Sequence, residues 1–264
     1  MLMTESRSYQ TQAVVVKQTK LGEFDKLLTV FSPEFGKIKA VAKGACRPGS
    51  KLGGNVEPLT HCLMMLARGR NLDIVTQSQT IDGFSYLKND LWRTSCGLYI
   101  LELIDLFTME GSANLPLFDL LVDTLHQLAE SGGDEIALRY FELHLLEYTG
   151  YQPQLHQCVS CRFPLKAVAN FFSSSQGGVL CPLCGQKEPA SRLLSLNALK
   201  ILRLWQSCDY ATARRVKTEP ELFQELERVL QRYMEYLLQR KVKSAAWLEE
   251  LKKGLRLDNQ RRQH

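Results

Sequence analysis

Two close pairs of cysteines constrain the fold of this chain more than any other feature. Cys158 and Cys161 form the first pair and Cys181 and Cys184 the second, with 19 residues between the pairs. Two residues between cysteines allow one tight turn to aim both thiolates at a single ion, and the spacing of the pairs is typical of zinc ribbons and fingers. Four thiolates complete a tetrahedral shell and leave no position for water or substrate. The pattern therefore predicts one structural Zn²⁺ ion.

Other uses of the cysteines agree less well with the sequence. Redox chemistry is the main alternative for a C-x-x-C pair, but it requires a βαβ pattern that the surrounding residues lack. His156 is close by and is expected at the surface, since four thiols already suffice. The remaining cysteines are isolated and are predicted to be small buried or loop residues: Cys46, Cys62, Cys96 and Cys208. With no apolar leader and no apolar run of the roughly 18 residues that a membrane span needs, we expect a cytoplasmic protein without membrane contact.

The first 82 residues carry a β-rich pattern. Short runs of β-branched and apolar residues alternate with turns rich in Gly, Pro and Asn. The predicted strands are residues 12–17, 26–32, 37–43, 59–67 and 72–78. Closure of five short strands would remove their exposed edges, and a five-stranded barrel of this size is an OB-fold.

Beyond Gly83 the apolar residues recur at helical spacing. The predicted helices are residues 91–107, 115–129, 135–148, 195–207 and 219–240. The predicted fold class is therefore α+β, with an N-terminal five-stranded OB-fold barrel followed by a helical bundle with an inserted four-cysteine zinc finger. The predicted divisions are 1–82 for the barrel, 83–150 and 191–254 for the two parts of the helical domain, 151–190 for the zinc finger, and 255–264 for a basic tail that is a candidate for disorder.

Charge is unevenly distributed along the chain. Residues 1–85 and 151–264 carry net charges of +4 and +9, whereas residues 86–150 carry −8, and together they give the formal charge of +5. Clustered Lys and Arg gain affinity for polyanions by releasing the counterions that condense on phosphate. The distribution favours a nucleic-acid partner for the first and last segments. A solvated charged surface is the alternative.

The densest run of cations lies between Lys37 and Lys51 and contains no acidic residue. The period of two in a strand places Lys37, Lys39 and Lys43 on one face and apolar residues on the other. A glycine-rich loop follows, where backbone can approach phosphate closely. Such a surface on an OB-fold predicts sequence-tolerant, salt-sensitive strand binding, and lysines that only keep the barrel soluble are the alternative. The candidate DNA-binding residues are Lys37, Lys39, Lys43, Arg47, Lys51, Arg68 and Arg70.

Signals for catalysis are weak. Residues 44–51 approach the phosphate-loop motif G-x-x-x-x-G-K-[ST], but Ser50-Lys51 reverses its last two residues. An OB-fold beside a zinc module also resembles nucleotidyl-transferring ligases, yet Thr80 stands where their K-x-D-G motif carries the nucleophilic lysine. The sequence shows no local signature of a serine, histidine and aspartate constellation. We therefore expect a protein that is not an enzyme, with a nucleotidyl- or phosphoryl-transfer enzyme and a protein-only adaptor as alternatives.

A set of short motifs extends over nearly the whole chain. They are YQTQAVVV at 9–16, Gly22-Glu23 with DKLLT at 25–29, Gly36-Lys37 with AVAKGA at 40–45, Arg47-Pro48, KLGG at 51–54, Glu57-Pro58, Arg68-Gly69-Arg70 and GYQP at 150–153. In these motifs the chain resembles the RecO family of bacterial DNA recombination and repair proteins. The combination is much more specific than any one motif.

The resemblance implies an N-terminal OB-fold, a helical domain and a zinc finger inserted in that domain. It also implies binding of single- and double-stranded DNA, annealing of complementary strands, and cooperation with RecR and single-strand-binding protein in loading RecA, at the nucleoid. The acidic tail of single-strand-binding protein would need an apolar pocket rimmed by basic residues. The helices that carry Arg203, Arg214, Arg215 and Arg232 are candidates for that pocket.

Overall fold

The chain forms two compact units. The computed structural model describes residues 7–130 and 135–261, with side chains up to residue 254. Residues 7–130 and 243–261 belong to the first unit, and residues 135–242 form the second. The second unit is therefore an insertion in the path of the first.

Five strands of the first unit close into a barrel. They are β1 (Ser8–Leu21), β2 (Asp25–Ser32), β3 (Gly36–Ala42), β4 (His61–Ala67) and β5 (Asp73–Asp82). Their order around the ring is β1-β2-β3-β5-β4. Neighbouring strands are antiparallel except β3 and β5, which run parallel. The predicted OB-fold is confirmed.

The barrel is filled by the inward half of each alternating strand. In β3, Ile38, Ala40 and Ala42 are buried, whereas Lys37 and Lys39 point outward. Buried residues from all five strands form one apolar core with them. The alternation predicted from the sequence is therefore present in β3, although the strand ends at Ala42, one residue before Lys43.

Three helices follow the barrel in the first unit: α1 (Ser85–Lys88), α2 (Leu91–Phe107) and α3 (Leu115–Glu130). Asp90 caps α2, because its side chain accepts the N–H of Arg93 at 2.8 Å. The segment after α2 then runs back along β3, where the N–H of Gly111 donates to the Lys37 carbonyl at 3.1 Å. This return brings acidic residues to the outer side of the barrel.

The second unit combines helices with a small sheet. Its elements are α4 (Glu135–Tyr148), β6 (Asn170–Ser173), β7 (Gly178–Leu180), α5 (Pro182–Gly185), β8 (Arg192–Leu194), α6 (Leu196–Ser207), α7 (Tyr210–Ala213) and α8 (Pro220–Leu238). β6 is the central strand, and both β7 and β8 pair with it in antiparallel fashion. Trp205 of α6 is fully buried. The first cysteine pair precedes β6, and the second pair follows β7.

The last helix, α9 (Lys243–Arg261), returns to the first unit. Glu102 of α2 accepts the backbone N–H groups of Lys243 and Ser244 at 3.1 and 2.8 Å. Trp247 donates its Nε1–H to Ser95 at 3.2 Å, and Leu248 is buried. One carboxylate on α2 thus satisfies donors at the start of α9 that would otherwise have no partner in the helix.

These contacts group the helices differently from the predicted division. α1–α3 and α9 lie with the barrel, whereas α4–α8 lie with the cysteines, because α9 packs on α2. Of the predicted tail, the backbone of residues 255–261 continues α9, and residues 262–264 lie outside the described residues. Within the part of the chain that the structure describes, no helix is long and apolar enough to cross a membrane.

Candidate metal centre and candidate nucleic-acid interface

The four cysteines of the two pairs converge on one point, which we call the cysteine centre (Cys158, Cys161, Cys181 and Cys184). Their sulfur atoms all lie within 4.8 Å of one another, and those of Cys161 and Cys181 are 3.9 Å apart. Tetrahedral zinc with Zn–S bonds of about 2.3 Å places sulfurs about 3.8 Å apart. The cysteine centre therefore has the donor set and the dimensions to hold a metal ion.

Hydrogen bonds from the backbone support negative charge at this centre. The N–H of Cys181 donates to the sulfur of Cys158 at 3.3 Å. Burial raises the pKa of Cys158, but N–H groups of Cys161, Cys181 and Ser160 outweigh it and lower that pKa to about 6. The neighbouring sulfur of Cys181 raises the pKa of Cys184 to about 11. Thiolates this close repel one another, and a divalent cation removes the repulsion, so the arrangement favours a bound cation.

Phe171 packs against the turn that carries the second cysteine pair. A Cβ atom at Gly185 would lie 2.3 Å from Phe171, so the second turn packs directly on that ring. Phe172 instead packs edge-on against Tyr233, with ring centroids 5.5 Å apart. Gly177 has a φ of +68° in the turn between β6 and β7, where glycine is favoured. His156 is exposed and does not belong to the centre.

The second candidate site is the outer surface of β2 and β3 with the β1–β2 and β4–β5 turns, which we call the cationic face. OB-folds bind oligonucleotides through this strand face and these two loops. Five of the candidate DNA-binding residues are exposed on or beside it: Lys39, Lys43, Arg47, Arg68 and Arg70. The barrel therefore brings together cations from β3, from the loop after it and from the β4–β5 turn.

Two aromatic residues support arginines of the cationic face. The guanidinium of Arg68 lies 5.2 Å from the ring centroid of Tyr9, which itself contacts Phe35 at 4.5 Å. The guanidinium of Arg47, in the loop after β3, lies 5.2 Å from the ring centroid of Phe24, in the β1–β2 turn. A cation over an aromatic face loses part of its conformational freedom before any ligand arrives. Both ends of the face thus present held arginines.

Carboxylates neutralise part of the positive charge of the cationic face. Lys39 pairs with Glu110 at 2.5 Å, and this hydrogen bond raises the pKa of Lys39. Around Lys39 lies a cleft of about 390 Å³ that Arg68 and Arg70 also line. Asp73 in the same cleft accepts hydrogen bonds from Tyr9 and from the N–H of Gly69. The cleft therefore has only a small excess of positive charge.

Two of the predicted residues occupy different surroundings. Lys37 is largely covered, and its Nζ donates to the Asp105 carbonyl at 2.7 Å and lies 3.4 Å from the Asp105 carboxylate. Lys51 is exposed beside Gln10 and Met65, on the outer side of β1, β4 and β5. Lys37 and Lys51 therefore do not add exposed charge to the cationic face.

Lys17, on β1, extends the cationic face and was missed by the sequence reasoning. It pairs with Thr29 across β1 and β2, and Thr29 pairs with Lys39 across β2 and β3. Two strand spacings place Lys17 and Lys39 about 10 Å apart on one outward row. Only the register shows this, because the two lysines are 22 positions apart in the sequence.

The fold and the two sites define an OB-fold protein with a separate four-cysteine metal module. Family models described as Recombination protein O N terminal and Recombination protein O C terminal match residues 3–84 and 88–246. The DNA repair protein RecO of Dehalococcoides mccartyi (strain ATCC BAA-2266) is 36% identical over 252 residues, which cover 96% of this chain and 99% of the relative. The protein of the same name from Roseiflexus sp. (strain RS-1) is 38% identical over 250 residues, with 95% and 88% covered.

The chain therefore belongs to the RecO family, and the predicted resemblance is confirmed. Membership supports a role in DNA repair and recombination. The boundary between the two family models, at residues 84–88, falls just after β5, the last strand of the barrel.

Proposed function

We propose that this protein is a non-catalytic mediator of DNA repair and recombination in the cytoplasm, at the nucleoid. In this proposal it binds single- and double-stranded DNA and anneals complementary strands. Together with RecR it helps to load RecA onto DNA that is coated with single-strand-binding protein. Membership in the RecO family and the OB-fold barrel support the proposal.

The observation that carries the proposal is the cationic face. Lys39 lies on a strand and Arg68 in a loop with which OB-folds contact oligonucleotides, and Arg47 lies over Phe24 of the other such loop. Aromatic rings hold both arginines. Exposed Lys and Arg bind phosphate without regard to sequence and release counterions. We expect binding that depends on the backbone and weakens as salt rises.

Annealing follows from the same electrostatics. Two complementary strands repel each other through their phosphates, and cations along one strand reduce that repulsion. Lys17, Lys39, Arg68 and Arg70 are proposed to hold the strand, with Lys43 and Arg47 at its other end. Lys37 and Lys51 are given smaller roles, because Asp105 covers the first and the second lies on another side of the barrel.

The cysteine centre is proposed to hold one Zn²⁺ ion with a structural role. All four thiolates serve as ligands, so no open position remains for chemistry. The ion would fix the segment between α4 and α6, whose sheet has only three short strands. Binding energy of the metal then becomes folding energy of this segment.

A cleft of the second unit is a candidate for the acidic tail of single-strand-binding protein. It measures about 440 Å³, with apolar Phe172, Leu193 and Val229 in its lining and Arg228 and Arg232 beside them. Apolar surface with adjacent guanidinium groups suits an acidic peptide that also carries apolar side chains, and Glu225 is the one carboxylate among the residues that line the cleft. Arg203 is already engaged, since its Nε–H donates to the Leu155 carbonyl at 2.8 Å.

The proposal is tested by DNA affinity and strand annealing measured across salt concentrations. The variant Lys39→Gln with Arg68→Gln and Arg70→Gln should bind a labelled oligonucleotide more weakly and with a flatter salt dependence. Lys200→Gln, an exposed lysine of α6, is the matched control and should bind as the unaltered protein does. Unchanged affinity of the triple variant would reject the cationic face.

The alternatives have distinct signatures. A nucleotidyl- or phosphoryl-transfer enzyme would turn over ATP or become covalently labelled by nucleotide. Thr80 donates its hydroxyl to Asn55 at 2.7 Å in the position where a nucleophilic lysine would be needed. A protein-only adaptor would bind partner proteins and show no affinity for DNA at low salt.

A further inference from the structure

The turn that carries the first cysteine pair exposes an aromatic ring. Phe163 is 72% exposed, whereas the next most exposed of the 11 phenylalanines, Phe24, reaches 39%. Large aromatic side chains are normally covered, because their burial is among the strongest contributions to folding. The exposed ring of Phe163 is therefore accessible to a ligand that can cover it.

The backbone at Phe163 is held in place by hydrogen bonds of the first cysteine turn. Its carbonyl accepts the N–H of Cys158 at 2.9 Å, and its own N–H donates to the sulfur of Cys161. Two residues later, the N–H of Leu165 donates to the His156 carbonyl at 3.2 Å. A ligand that stacks on this ring therefore does not have to order the backbone that carries it, and preorganisation of this kind increases affinity.

Arg162, next to the ring, occupies a backbone conformation that favours glycine. Its φ is +65°, in the left-handed region. In the second pair, the residue after the last cysteine is Gly185, where Phe171 leaves no room for a side chain. The first pair keeps an arginine in spite of its unfavourable φ, and such an outlier points to a use for the side chain.

The sequence segment that carries Phe163 contains cations and no carboxylates. Residues 151–187 contain Arg162, Lys166 and Lys187 but no Asp or Glu. Four thiolates and one Zn²⁺ ion would carry a formal charge of −2, so the module has only a small positive excess. Charge alone therefore does not define the ligand. An anionic partner with flat apolar faces matches the surface better than a purely anionic one.

We propose that Arg162, Phe163 and Lys166 form a second contact for single-stranded DNA. Phe163 stacks on an unpaired base, while Arg162 and Lys166 contact the adjoining phosphates. Bases stack on exposed aromatic rings without strong sequence preference, and cations follow the backbone beside them. This inference rests on the proposed function, because it requires that the protein binds single strands. It assigns base contact to the metal module and backbone contact to the barrel.

The test compares an oligothymidine with an abasic oligonucleotide of the same length, using the full chain loaded with zinc. Phe163→Ala should lose about fivefold or more in affinity for oligothymidine, the usual scale of one lost stacking contact. Its affinity for the abasic strand should stay within about twofold, since phosphate contacts remain. Leu183→Ala is the matched control, because Leu183 is 75% exposed at the second cysteine pair but has no π face. It should bind both strands as the unaltered protein does.

A second variant covers the case in which Phe163→Ala loses its metal. Phe163→Trp keeps the size and stacking capacity of the ring, and its added fluorescence should be quenched by oligothymidine and not by the abasic strand. Equal oligothymidine affinity of Phe163→Ala and the unaltered protein overturns the inference, as does an equal loss on both strands. So does a normal DNA affinity of Phe163→Ala accompanied by lost binding of a partner protein. Absence of any DNA binding by the unaltered protein overturns the proposed function as well.

Discussion

The cysteine centre and the cationic face hold charge in opposite ways. In the centre, four sulfurs lie within 4.8 Å of one another, and backbone N–H groups donate to the sulfur of Cys158. On the face, Lys39, Arg47 and Arg68 come from separate elements, stay exposed and interact with carboxylates or aromatic rings. Metal binding by a closed shell requires every ligand, whereas each cation of an open surface adds its own increment to the affinity for DNA. The two regions should therefore respond to substitution with different cooperativity.

The largest effect is expected at the cysteine centre. Cys158→Ser or Cys181→Ser should each abolish tight metal binding. A site of three thiolates and one hydroxyl binds the metal far more weakly than the closed shell of four thiolates does, because the loss exceeds one ligand's share. Amide exchange should then become fast across residues 151–190, while the barrel keeps its protection. Metal content by mass spectrometry and hydrogen exchange measure both. A zinc-bearing protein that keeps slow exchange in this segment after chelation would disprove the structural role.

The next largest effect is expected at the cationic face. Lys39→Gln, Arg68→Gln and Arg70→Gln, combined, should flatten the salt dependence of single-strand binding by a slope of about 2, at ~0.7 per phosphate contact. The single variants should each give about a third of this change, since exposed cations act nearly additively. Titrations by fluorescence anisotropy at several salt concentrations measure the slope. A single variant that removes the whole effect would show that the face is not an additive surface.

A smaller effect of opposite sign is expected at Glu110. This carboxylate pairs with Lys39 at 2.5 Å, so Glu110→Gln should free the lysine for phosphate. We expect affinity for single-stranded DNA to rise about two- to fivefold, most clearly at low salt. Asp119→Gln, an exposed acid of α3, is the control for net charge. An equal gain in both variants would assign the effect to the overall field of the protein.

The smallest effect is expected at Arg162. Glycine relieves the left-handed φ of +65°, so Arg162→Gly should bind zinc slightly more tightly, by about twofold. Competition with a chromophoric chelator measures this change. Its affinity for oligothymidine should fall at the same time. A variant that gains metal affinity and keeps its full DNA affinity would mean that the arginine serves no ligand.

How much the sequence predicts depends on the distance between partners along the chain. The cysteine pairs were identified to the residue, because each turn of four residues fixes its own geometry. The outward direction of Lys37 and Lys39 also followed from local alternation. The sequence did not show that Asp105 covers Lys37, since the two residues meet only after α2 returns beside β3.

The membership of the cationic face was harder to predict for the same reason. Lys17 lies in line with Lys39 because of the register of three strands. Lys51 lies away from the face because the loop after β3 turns to the other side of the barrel. Neither event has a local signal. The bounds of the helices were predicted more accurately than the membership of the cationic face. α2 and α4 begin and end at the predicted residues because their apolar residues recur at a regular helical period.

The contact between Glu102 and the start of α9 has a consequence for synthesis. A ribosome makes the barrel and α2 early, but the helix that completes their unit is made only after the whole second unit. Until then, the apolar site for Leu248 on the nascent first unit stays open, while the second unit can fold independently behind it. Synthesis of the first unit thus begins before that of the second unit, but the first unit completes its fold later. A premature stop just before α9 would therefore destabilise the first unit, which is synthesised first, and leave the second unit intact.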